Sequence, residues 1–208
     1  MSPEAVEHAF TRSDGSYLFA RWGRPIAPVV FGVDDATLSI VKGAIEAIAV
    51  LADHRLTDMD PELGANFMVF FIRDWDELAA TPDLDRLLPE LPELIVRLKA
   101  VEANQYRAFR FDPDGAIKAA FVFVRMDEAL SALPAEDLAL AQAVQTIVLW
   151  SDEAFKDRGP LATIDGKVIL NPEVAAIVRA AYDPVLPAVA TDPSHALRLA
   201  ARLRTGTS

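Results

Sequence analysis

The sequence predicts an α+β fold: a mixed sheet of about five strands, a core helix over residues 136–150 and further helices toward the C-terminus. Three observations lead there. Short apolar segments of strand length alternate with stretches at helical spacing along the whole 208-residue chain, and neither kind is confined to one half. Asp112-Pro113-Asp114-Gly115 joins two such segments as a hairpin, the proline fixing φ and the glycine supplying a positive φ. Beyond that hairpin, almost every side chain of residues 136–150 is apolar except Gln142, Gln145 and Thr146, so this helix belongs inside the protein.

Taken in order, residues 17–22 and 29–32 read as two short strands joined through Arg24-Pro25 and forming a pair. Asp34-Asp35 offers an N-cap for a helix whose apolar positions include Leu38, Val41, Ile45, Ile48 and Leu51. The run Asn66-Phe67-Met68-Val69-Phe70-Phe71-Ile72 is short and apolar on both faces, which places it at the centre of the sheet. Over residues 81–101 prolines alternate with leucines. Pro89 and Pro92 limit any long helix before Leu94, so short helical turns covering one edge are expected. Residues 106–112 and 116–125 form the hairpin, and Pro134 opens the core helix. Asp165-Gly166 marks a small second hairpin. Asn171-Pro172-Glu173 supplies an N-cap, an N1 proline and a first-turn acid for a helix ending near Tyr182. Asp192-Pro193 repeats the device for a last helix, where Arg198, Arg202 and Arg204 suit the negative end of the helix dipole. With no linker, repeat or low-complexity block, residues 1–208 are expected to form a single domain.

Composition narrows the function classes. At 52% hydrophobic and 25% charged residues the chain can bury a sizeable core, which excludes wholesale disorder. Twenty basic residues against 31 acidic give a net charge of -11, which opposes nucleic acid as a partner. The absence of cysteine excludes disulfides, thiolate metal sites and thiol nucleophiles. No apolar run approaches the roughly 18 residues of a membrane span. The first residues carry neither the basic nor the apolar region of a signal peptide. The expected location is therefore cytoplasmic as written, or periplasmic or exported for a chain whose signal has been removed.

Candidate chemistry is sparse. His8, His54 and His195 lie far apart and form no i, i+4 pair. His54 neighbours Asp53, Asp58, Asp60 and Glu62, without the spacing of a calcium loop, and reads as part of a solvated acidic segment. No nucleophile elbow or phosphate-binding glycine loop occurs, and Ser194-His195 falls at a helix start. No cofactor is expected.

A helix following the last sheet hairpin is where zincin peptidases place HExxH, two imidazoles one turn apart with a glutamate beside them. Here the nearest match is Ala141-Gln142-Ala143-Val144-Gln145-Thr146-Ile147-Val148-Leu149. An alanine binds no zinc, and a neutral amide cannot take a proton from water. With this run, four further segments make the chain resemble an uncharacterised bacterial family with a zincin-like fold, in which HExxH is degenerate. They are Arg21-Trp22-Gly23-Arg24-Pro25-Ile26, Ala65-Asn66-Phe67-Met68-Val69, Ser151-Asp152 and Ala181-Tyr182-Asp183-Pro184, and the resemblance spans residues 17–186. It implies a zincin-like sheet and a non-catalytic protein that binds a peptide or protein partner in a remnant cleft, with Gln142, Gln145 and Asp152 as ligand-binding residues. Gln142 and Gln145, at i, i+3, either form a polar stripe bonded to loops or water, or line that cleft. The alternative function is a metal-dependent hydrolase with non-standard ligands such as Asp152, Glu153 or His54. A structural or self-associating domain is a third reading.

Overall fold

The computed structural model describes residues 1–205, with the side chains of Arg204 and Thr205 outside the description. The expectation for Arg204 at the helix end therefore lies outside the described residues. Helix α1 (Pro3–His8) is capped by Ser2, whose hydroxyl accepts from the Ala5 amide at 3.3 Å. Strands β1 (Phe19–Ala20) and β2 (Pro28–Phe31) follow, then helix α2 (Asp35–Leu51), capped by Asp34 through the Thr37 amide at 2.8 Å. After β3 (Phe67–Ile72) come three short helices, α3 (Asp76–Ala79), α4 (Leu84–Leu87) and α5 (Leu91–Ala100). The hairpin β4 (Gln105–Phe111) and β5 (Ile117–Arg125) leads through α6 (Glu128–Ser131) into α7 (Ala135–Ile147). A small hairpin, β6 (Leu161–Ile164) and β7 (Lys167–Leu170), precedes α8 (Pro172–Ala181), β8 (Val189–Ala190) and α9 (Ser194–Thr205).

The main sheet has the order β2-β3-β5-β4, with β2, β3 and β5 parallel and β4 antiparallel at one edge. It contains four strands, fewer than the five expected, because the segment around β1 leaves it. Phe19 and Ala20 pair with Ala190 and Val189 of β8, so the strand pair expected between residues 17–22 and 29–32 does not form. Residues 24–27 instead run beside the stretch before β3, where Asn66 ties them down.

Both faces of the sheet are covered, which is why β3 and β5 are apolar at nearly every position. Phe67, Val69 and Phe71 join Ala120, Val122 and Val124 against α2 and α7. Phe70, Ile72, Phe121 and Phe123 pack against Leu78, Leu84, Leu91, Leu94 and Leu98 on the other side. The segment of prolines and leucines thus covers a whole face rather than an edge, since Trp75 and the leucines of α3–α5 provide enough apolar surface to seal it. Pro92 falls in the first turn of α5, where its missing N–H costs no helical bond.

Helix α7 ends three residues before the expected position. Val148 adopts extended backbone and bridges Arg21, and the Leu149 amide donates to the Ala20 carbonyl at 2.8 Å. The carbonyls freed at this helix end are met by side chains from the segments singled out in the sequence. Trp22 Nε1 donates to the Thr146 carbonyl at 3.0 Å, and the Tyr182 hydroxyl to that of Ile147 at 2.7 Å. Trp150 Nε1 reaches the Val144 carbonyl at 2.8 Å. Such partners satisfy acceptors that a buried helix end would otherwise leave bare.

A second polar knot holds the hairpin turn. Arg24 pairs with Asp112 at 2.6 Å, Glu62 at 3.1 Å and Asp60 at 3.4 Å, and Lys118 also meets Glu62. Asn66, fully buried, accepts from the Ala27 amide at 2.7 Å and donates to the Pro25 carbonyl at 2.9 Å and to Asp60 at 3.1 Å. Asp53, Asp58 and Glu62 are exposed, as expected of a solvated acidic segment, but Asp60 is buried and departs from that expectation. Burial alone would raise its pKa. The Leu63 and Glu62 amides, Asn66 and the Arg24 charge outweigh that penalty and hold it below the usual carboxylate value.

Candidate functional site: a groove on the sheet edge

Strand β4 pairs on one side only. The Asn104 carbonyl accepts from the Arg125 amide of the neighbouring chain segment, so by alternation the backbone groups of Gln105, Arg107 and Phe109 point away from β5. Among the described residues none of these three has a further backbone–backbone bond. An open groove of about 640 Å³ runs along this edge, lined by β4, the loop Arg12, Ser13 and Asp14, Gln145 in the last turn of α7, and residues between Leu149 and Phe155 that follow the helix.

The three sequence-designated residues gather here in different roles. Gln145 lines the groove while its amide donates to the Ala141 carbonyl at 3.1 Å, within its own helix. Asp152 also lines it, and its carboxylate accepts from the Ser13 amide at 3.0 Å. That bond pins the 12–14 loop as one wall, and the Ser13 hydrogen bonds are also what lower the Asp152 pKa. Gln142 is buried and lies beneath the groove rather than in it. Its Oε1 accepts from Arg107 Nη2 at 2.6 Å, and its Nε2 donates to Gln105 Oε1 at 2.7 Å. Of the two roles weighed for the amides, Gln142 is bonded to side chains of β4, and Gln145 combines an intrahelical bond with a place in the cleft.

Arg107 and Gln105 are the residues that sequence reasoning missed. Arg107 is half-buried, its two hydrogen bonds both run from Nη2, and its Nε is enclosed without an acceptor. Desolvation pushes its pKa down to about 10, so the guanidinium remains charged at neutral pH. The available signal was the pairing of two patterns: a helix with few amides among apolar residues, and a strand with polar residues at 105 and 107, two apart on one face. Buried amides need partners, and this strand had them.

Of the residues named for the hydrolase alternative, Asp152 lines the groove, whereas His54 and Glu153 stand elsewhere. His54 Nε2 bonds the Arg24 carbonyl at 2.9 Å beside the Tyr182 ring, and Glu153 pairs with Lys156. Among the described residues no group of three or more His, Asp or Glu side chains is placed to hold a metal ion. His195 is fully buried, joined through Nδ1 to the Tyr17 hydroxyl at 2.8 Å and packed on Phe19, and burial pushes its pKa down to about 4. Trp22 and Trp75 are core residues, whereas Trp150 stacks on Phe10 at 5.5 Å and lines the groove with its remaining surface.

Fold and groove together define an α+β protein with a mixed four-stranded sheet, an open edge strand and no described helix long and apolar enough to cross a membrane. Comparison with protein-family profiles, curated proteins and solved structures finds no match to the chain.

Proposed function

We propose that the protein is a non-catalytic, zincin-like binding module that takes a peptide or protein segment in extended form along the outer edge of β4. The observation that carries this reading is the groove itself. It lies along an edge strand whose outward N–H and C=O groups at Gln105, Arg107 and Phe109 have no backbone partner among the described residues, and it is walled by Gln145, Asp152 and the 12–14 loop. An added strand would gain main-chain hydrogen bonds from Gln105, Arg107 and Phe109, with side chains alternating between the two walls. Support for the zincin-like element comes from the order of parts: the β4–β5 hairpin, then a buried helix whose Ala141-Gln142-x-x-Gln145 stretch faces the edge strand. That stretch offers amides where a peptidase needs two imidazoles and a general base.

The test is binding of a library of capped octapeptides, read by fluorescence anisotropy, and repeated with N-methyl groups at odd or at even positions. Strand addition predicts that one parity abolishes binding and the other leaves it, because only alternate amides face β4. Equal tolerance of both parities, or no binding by any peptide, would overturn it.

A further inference from the structure

The chemistry at the floor of the groove says more about the occupant, on the footing that the edge-strand reading holds. Arg107, on β4, holds a positive charge in a half-buried position, and every hydrogen-bond partner of its guanidinium is a neutral amide. The carboxylates that line the groove are already engaged. Glu90 pairs with Arg110 at 2.7 Å, Asp152 accepts from Ser13, and Asp14 accepts from the Ser16 amide and hydroxyl. A desolvated guanidinium held only by amides, with its Nε lacking an acceptor, is left short of compensation that an incoming anion can supply.

Position in the strand sets where that anion must sit. A residue paired directly opposite Arg107 places its side chain on the same face of the sheet, within reach of the guanidinium. Two residues along, the neighbouring position on that face lies opposite Phe109, a partly buried ring packed on the core. We propose that the groove selects an extended peptide with an acidic side chain opposite Arg107 and an apolar side chain two positions away against Phe109. Gln142 is the residue that makes this selection: a carboxylate in its place would satisfy Arg107 from within and leave no vacancy for the ligand.

Two sets of capped octapeptides on a Thr-Val background, with Glu or with Gln at each position in turn, test this by anisotropy against the native protein and Gln142→Glu. A charge-assisted bond predicts that the best Glu peptide binds native protein about 10- to 100-fold more tightly than its Gln counterpart. In Gln142→Glu, whose fold is checked by its melting curve, the ratio should fall to near one. Equal binding of Glu and Gln peptides would overturn the selection while leaving strand addition standing. A full preference for Glu in Gln142→Glu would overturn the role of Arg107. Absence of binding by every peptide would remove both this inference and the reading beneath it. An uncapped peptide that binds regardless of its side chains would assign the anion to a C-terminal carboxylate and overturn the acidic-side-chain proposal.

Discussion

Asn66 gives the sharpest test of how the chain before β3 is held. Its side chain makes three hydrogen bonds in a fully buried position: with the Ala27 amide, the Pro25 carbonyl and Asp60. Ala27 is itself buried, so removing the acceptor strands its N–H away from water. At about 1 kcal/mol per bond, with a further penalty for the stranded amide, Asn66→Ala should cost about 3–4 kcal/mol. Asn66→Asp separates the contributions. It keeps the acceptor for Ala27 but turns an oxygen toward Asp60, 3.1 Å from the present amide nitrogen. Two carboxylates at that distance cannot both ionise, so the introduced group has a raised pKa in the folded protein. A group raised on folding contributes stability at low pH and loses it as pH rises. The variant should therefore be strongly destabilised at pH 7 and recover part of the deficit near pH 5. Urea unfolding followed by tryptophan fluorescence measures both. A cost below about 1 kcal/mol for Asn66→Ala, or an Asn66→Asp deficit that ignores pH, would refute the reasoning.

Other outcomes follow from single contacts. Gly32 has φ +81°, and a Cβ there would lie 2.0 Å from the Phe71 carbonyl oxygen, so Gly32→Ala should destabilise by about 3 kcal/mol or more in chemical denaturation. His195 is neutral in the fold with its pKa pushed down to about 4, against 6.5 ordinarily. Below pH 6.5 the unfolded chain gains a proton that the folded one refuses, so up to about 3 kcal/mol of stability should drain away between pH 6.5 and 4. His195→Gln should flatten that slope, whatever its cost at pH 7. Tyr17→Phe leaves both imidazole nitrogens without a partner and should lower stability at neutral pH by about 1–2 kcal/mol, measured by urea unfolding.

Much of the architecture was legible because local chemistry and burial agree. Asp34, Asn171 and Asp192 act through their side chains on the backbone amides of Thr37, Glu173 and Ser194 as their sequence positions imply. Asp165 and Gly166, both at positive φ, make the predicted tight hairpin. What escaped were partnerships across long separations. Nothing local to residues 17–22 says that Phe19 pairs with Ala190 rather than with the strand next in sequence. Period-2 patterning likewise could not say that Asp60 and Glu62 converge on Arg24, or that α7 yields its last turn to Arg21. For the groove, the sequence named three residues around it, yet the charge at its centre stayed hidden. Arg107 reads as an ordinary strand arginine until Gln142 is seen beneath it.

The most direct measurement is amide hydrogen exchange by NMR on the protein with and without a saturating capped acidic octapeptide. Strand addition predicts slowed exchange at the outward amides of Gln105, Arg107 and Phe109, with little change at Tyr106 and Ala108, which already bond to β5. Protection confined to the pocket around Arg24, Met59 and Asp112, or no change along β4 while the peptide is bound, would contradict it.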